Sequence, residues 1–247
     1  MADVQVTKWM SMSSPTPVVL IVISYLYVIC SVGPRFMKNR NAYSLKKVMQ
    51  LYNIFQVAYN IWLLFNVINY TKPLNGVLNY CSSFETLYSD VEKPFEILWW
   101  TILLKLIDFF DTVVFVLRKN YRQVSVLHLY HHISTFLFMW VALKYFPHSS
   151  QFLIISINTT VHVLMYSYYF LTTFGPNVQR ILQPYKKLLT FIQMVQIMFI
   201  TLNGIQGLLC NDRKVLHWSV VTIINGLINL SFFFNFFNKS YRKSKTV

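Results

Sequence analysis

Apolar residues fall along this chain in seven runs, separated by short polar stretches. The runs lie at about residues 17–33, 48–69, 97–117, 125–145, 151–173, 187–209 and 216–237. A helix needs about 20 mostly apolar residues to cross a bilayer. The pattern therefore predicts an all-α, multi-pass membrane protein of seven transmembrane helices, with 1–247 as a single membrane domain. The first run begins at Pro15-Thr16-Pro17 and lacks the basic flank and small-residue cleavage site of a signal peptide, so it is read as a span. Gly175-Pro176-Asn177 marks a sharp turn. The longest connection, 70–96, holds Pro73, Asn75-Gly76 and Pro94, with four of the eight acidic residues.

Composition agrees with this reading. Hydrophobic residues make up 55% of the chain and charged residues only 12%, about half the share in globular domains. A water-soluble fold of this size has no interior large enough to hide that surface. The net charge of +14 suggests nucleic acid until its distribution is examined. Assigning the connections alternately to two sides puts 15 basic residues on one: Arg35, Lys38, Arg40, Lys46, Lys47, Arg118, Lys119, Arg122, Arg180, Lys186, Lys187, Lys239, Arg242, Lys243 and Lys245. The other side holds six, Lys8, Lys72, Lys93, Lys144, Arg213 and Lys214, while Lys105 falls within a run. The richer side is cytosolic by the positive-inside rule. The N-terminus is then luminal and the C-terminus cytosolic, and no nucleic acid partner is expected. Cys81 and Cys210 fall together on the luminal side, where an oxidising compartment permits a disulfide. Asn69-Tyr70-Thr71 is a glycosylation sequon on that side. The end, Lys243-Ser244-Lys245-Thr246-Val247, has the lysine spacing of an endoplasmic-reticulum retrieval signal.

Polar residues inside the apolar runs are costly and mark chemistry. Six histidines occur in the chain, and three are in His128-Leu129-Tyr130-His131-His132. Positions i, i+3 and i+4 share a helix face, so these imidazoles form one cluster. The preceding run carries Lys105, Asp108, Asp111 and Thr112. Lys105 and Asp108, three apart, partly neutralise each other, and the carboxylates are suited to holding imidazole tautomers. The fifth run carries Asn158, His162 and Tyr166 at intervals of four. The sixth carries Thr190, Gln193 and Gln196 at intervals of three, read as the wall of the site.

Together these segments resemble the very-long-chain fatty acid elongase family. The likeness rests on His-X-X-His-His at His128 to His132, the Lys105 to Thr112 segment, and His162-Val163-Leu164-Met165-Tyr166. It extends to Gly33 through Arg40, Val113 through Lys119, Thr190-X-X-Gln193-X-X-Gln196 and Asn235-Phe236-Phe237. One departure is Asp108, where the family has glutamate; the 70–96 connection is least alike.

The resemblance implies an endoplasmic-reticulum enzyme whose helices, six of seven, surround a closed acyl-chain tunnel. It condenses a long acyl-CoA with malonyl-CoA to 3-ketoacyl-CoA, CoA and carbon dioxide, with no metal and no cofactor. His131 is the expected nucleophile, with His128 or His132 orienting it or moving a proton. Asp108 and Asp111 would fix tautomers, and Asn158 and His162 would steady the thioester oxygen or malonyl group. Lys105, Tyr166, Gln193, Gln196, Arg118, Lys186, Lys187 and Arg242 are the expected substrate contacts. Membrane lipids, other enzymes of the elongation cycle and a homo- or hetero-oligomer are the expected partners. Two alternatives stay open: a membrane di-iron desaturase or hydroxylase, which also uses His-X-X-His-His, and a non-enzymatic seven-span transporter.

Overall fold

The computed structural model describes residues 14–74, 78–82, 84–88 and 90–242. Lys8, Asn75-Gly76, Lys243 and Lys245 lie outside the described residues, as do the side chains of Glu85 and Arg242. The regular elements are all helical. In order they are α1 (Thr16–Met37, with a π turn at Val28–Val32), α2 (Lys46–Thr71), the one-turn α3 (Phe84–Leu87), α4 (Glu92–Ile107) and α5 (Phe109–Leu117). There follow α6 (Val126–Tyr145), α7 (Ser150–Thr172), α8 (Pro176–Gln206, with a 3₁₀ turn at Gly207–Leu209) and α9 (Arg213–Phe237).

Among the described residues five helices, α1, α2, α6, α8 and α9, are long and apolar enough to cross a membrane. The other two apolar runs have visible reasons for falling short. The 97–117 run is divided at Asp108, whose φ of −58° and ψ of −22° tighten one turn between α4 and α5. At 23 residues α7 is long enough, but Asn158, Thr159, Thr160, His162 and Ser167 dilute its apolar content.

The chain divides into two compact units, one of residues 1–46 with 91–145, the other of 47–90 with 146–247. In the first unit α1 lies close against α5. A Cβ at Gly33 would meet Val116 Cγ1 at 2.7 Å, so glycine sets this approach. The Tyr43 amide donates to the Leu117 carbonyl at 3.1 Å, tying the segment after α1 to the end of α5. Helix α4 packs on α6, burying Leu98, Ile102, Phe136 and Leu143.

In the second unit α8 and α9 form a tight antiparallel pair. A side chain at Gly226 would collide with Thr201, and one at Gly207 with Ser219. Asp212 caps α9, its carboxylate accepting from the Lys214 amide at 2.7 Å. Gly175 precedes α8 with φ of 118°, a conformation open only to glycine, and Pro176 takes the first helical position.

Near the start of α7 three segments of this unit are bound together. Cys81 and Cys210 form a disulfide across 129 residues, with Cα atoms 5.3 Å apart. The Ser150 amide donates to His148 Nδ1 at 3.2 Å. Nδ1 is thus the acceptor, and Nε2 carries the proton donated to the Tyr80 carbonyl at 2.7 Å. Burial pushes the His148 imidazole below its usual pKa, opposed by that hydrogen bond and by Asp212. Tyr88 donates to the Thr71 carbonyl at 3.0 Å, and its ring and that of Phe84 flank Phe152. Burial pushes the Tyr88 phenol up to about 12.

Candidate active site

The histidine cluster belongs to the first turns of α6. Ser125 caps this helix by accepting the His128 amide on its Oγ at 3.2 Å. That cap fixes the backbone from which His128 projects. One turn on, Thr135 returns its hydroxyl to the His131 carbonyl at 2.8 Å and the His132 carbonyl at 3.2 Å. The rings of His128 and His132 lie 4.1 Å apart at 43°, and those of His131 and His132 lie 6.1 Å apart at 79°. The three imidazoles thus form one cluster.

Helices α4 and α5 supply its polar and aromatic neighbours. Lys105 Nζ lies 3.2 Å from Asp108 Oδ2, both side chains almost wholly buried. Thr112 Oγ1 lies 2.9 Å from His128 Nε2. Phe115 packs on His128 at 5.3 Å, and Phe109 on His132 at 6.5 Å. Asp111, half-buried, occupies the same turn as Thr112. Arg118 follows α5 and is half-buried.

The remaining predicted residues belong to the second unit. His162 is 8% exposed and Tyr166 1% exposed, with ring centroids 5.7 Å apart. Asn158 lies one turn before His162 on α7. Gln193 Nε2 lies 3.2 Å from Met165 Sδ, and Gln196 is buried on the same helix. Lys186 and Lys187 are exposed on α8, where Tyr241 donates to the Lys186 carbonyl at 3.4 Å and Lys187 stands 5.7 Å from the Phe237 ring.

The sequence reading missed a polar face on α2. Asn53, Gln56 and Asn60 are buried there. Gln56 Nε2 donates to the Tyr52 hydroxyl at 2.8 Å, and Asn60 Nδ2 to the Gln56 carbonyl at 2.8 Å. The Tyr52 ring meets Tyr166 edge-on at 5.9 Å. Amides at i, i+3 and i+7 within an apolar run were the available signal. Among the described residues, no group of three or more His, Cys, Asp or Glu is arranged to hold a metal ion.

The fold and this cluster define a class: a multi-pass helical membrane protein with a half-buried imidazole group anchored by a hydroxyl. Residues 10–247 match the model of the ELO (GNS1/SUR4) family, and the chain belongs to that family. It is 35% identical to a very long chain fatty acid elongase of Aedes aegypti, over 98% of this chain and 68% of that protein. It is 34% identical to very long chain fatty acid elongase 4 of Homo sapiens, over 99% of this chain and 77% of the relative. With very long chain fatty acid elongase 5 of Mus musculus it shares 30% identity, over 98% of this chain and 79% of the relative.

Proposed function

We propose that this ELO-family elongase, a condensing enzyme of fatty acid elongation, works through an acyl-imidazole formed on His131. The observation that carries the reading is the cluster of three imidazoles on one turn of α6, with His128 anchored to Thr112. A neutral imidazole is both nucleophile and base near neutral pH. His131 attacks the thioester carbon of a long acyl-CoA. The C–N bond forms, the C–S bond breaks, and the imidazole proton passes to the departing CoA thiolate. Malonyl-CoA then loses carbon dioxide, and its enolate carbon attacks the acyl-imidazole. The C–C bond forms as the C–N bond breaks, and the departing ring nitrogen takes a proton from solvent, giving 3-ketoacyl-CoA and neutral His131.

Around that step the expected roles follow the family resemblance. Asp111 and Asp108 steady the imidazoles, while Asn158 and His162 act on the thioester oxygen or the malonyl group. Lys186, Lys187, Arg118 and Arg242 suit the phosphates of CoA. A seven-span arrangement with a closed apolar tunnel suits the acyl chain, since each buried CH₂ contributes about 0.8 kcal/mol. The distribution of lysine and arginine supports a cytosolic C-terminus, and the family resemblance with the terminal lysine spacing supports placement in the endoplasmic-reticulum membrane.

The purified protein, incubated with long acyl-CoA and labelled malonyl-CoA, is expected to release labelled 3-ketoacyl-CoA. With acyl-CoA alone, intact mass is expected to show one acyl group per chain, absent in His131→Ala. Condensation without any such adduct would leave the reaction standing and remove the covalent step.

A further inference from the structure

Helix α1 carries none of the expected catalytic or substrate-contact residues, yet one of its side chains reaches the histidine cluster. Tyr25 is 7% exposed, and its ring stacks on Phe109 with centroids 4.1 Å apart and planes 17° apart. That stacking holds the phenol so that its oxygen lies 2.7 Å from Thr112 Oγ1. Thr112 is fully buried, and the same Oγ1 lies 2.9 Å from His128 Nε2. Three groups on α1, α5 and α6 thus form one hydrogen-bonded line.

The proton count decides its direction. Thr112 has one hydroxyl proton and can accept two others. If His128 Nε2–H donated to Thr112, either the Thr112 proton would pass to Tyr25 and strand the phenol proton, or Tyr25 would also donate to Thr112 and strand the Thr112 proton. No described residue accepts either proton, since among them the Tyr25 hydroxyl bonds only Thr112, and Thr112 Oγ1 bonds only Tyr25 and His128. The phenol, with an ordinary pKa of about 10, is also a far better donor than an aliphatic hydroxyl. The line therefore runs from Tyr25 to Thr112 to His128. Nε2 accepts, and the ring proton resides on Nδ1.

We propose that Tyr25 is a positioning residue of the condensation site: acting through Thr112, it holds His128 as the Nδ1–H tautomer. His128 then offers an N–H donor to the oxygen of the reacting acyl or malonyl carbonyl beside His131. The proposal rests on the functional reading above, because it assigns His128 a task in that reaction. The cation and carboxylate of Lys105 and Asp108 set charge nearby, whereas this line sets where one proton sits.

Tyr25→Phe keeps the ring on Phe109 and removes only the hydroxyl. We expect its kcat to fall about tenfold, the scale of one neutral hydrogen bond, with KM for both thioesters within about twofold. Thr112→Val is expected to lose at least as much, and Thr112→Ser to keep most of kcat. The Tyr25→Phe/Thr112→Val double variant should be no worse than Thr112→Val alone, since Tyr25 acts only through Thr112. In ¹⁵N-histidine spectra, with His128 assigned by its loss in His128→Asn, the resonance pair should move away from the Nδ1–H pattern in Tyr25→Phe. An unchanged tautomer in Tyr25→Phe overturns the proposal, as does wild-type kcat or a double variant with additive losses. If the wild-type chain condenses nothing, the functional reading fails while the spectrum still decides whether the line fixes the tautomer.

Discussion

Lys105 Nζ and Asp108 Oδ2 meet at 3.2 Å with side chains only 7% and 6% exposed, an ion pair one turn apart at the break between α4 and α5. Removing one partner of a buried pair leaves the other charge uncompensated and costs about 3–5 kcal/mol. Lys105→Met is therefore expected to lower thermal stability in detergent and cut accumulation. Lys105→Met/Asp108→Leu, which removes both charges, should recover much of that stability without recovering condensation. Asp108→Glu restores the residue usual in the family and should retain activity. Size-exclusion profiles after a temperature series, read beside condensation rates, separate the two effects. Full activity in the neutral double variant would confine the pair to a structural role.

His131→Ala should accumulate and insert near wild-type levels while losing condensation by at least about a thousandfold, the scale of losing a covalent nucleophile. The backbone of that turn is held by Thr135 and by the Ser125 cap, neither of which the substitution touches. A variant that fails to accumulate would mark His131 as a packing residue.

The Cys81–Cys210 bond closes a separation of 129 residues. In the chain-entropy account such a loop contributes about 5 kcal/mol, and less where helices stay inserted after unfolding. Intact mass should rise by about 2 Da on reduction, the mass of two hydrogens, and the reduced protein should melt earlier. Iodoacetamide labelling of both cysteines without prior reduction would show the bond absent.

His148 gives the protein a stability that depends on pH. Burial holds its folded pKa below the ordinary 6.5. Below about 6.5 the unfolded imidazole takes a proton that the folded one refuses, so stability rises with pH through that window and levels above it. Thermal unfolding followed from pH 5 to pH 8 should show this slope. His148→Gln retains an N–H for the Tyr80 carbonyl at 2.7 Å and should flatten the slope. The same slope in that variant would assign it to another group.

The histidine cluster was legible in the sequence because helical spacing alone decides which side of one helix a residue faces. His128, His131 and His132 had to share a face once their run was helical, and so did Lys105 and Asp108. Membrane class was equally legible, because 55% hydrophobic content in runs of spanning length leaves no other solvent for the chain. The polar amides of α2 were legible in principle, but no motif drew attention to Asn53, Gln56 and Asn60.

Contacts between distant segments have no such rule behind them. Counting the apolar runs led to the expectation that Cys81 and Cys210 share one side; that their Cα atoms stand 5.3 Å apart follows from how the helix ends pack. Tyr25 is 87 residues from Thr112, and nothing local marks that tyrosine among the 16 in the chain. Only the close packing of α1 on α5, set by the missing side chain at Gly33 and the stack of Tyr25 on Phe109, brings its hydroxyl to the histidine turn. Periodicity fixes a residue's direction around its own helix, whereas the neighbour it meets depends on the shape of every side chain packed between them.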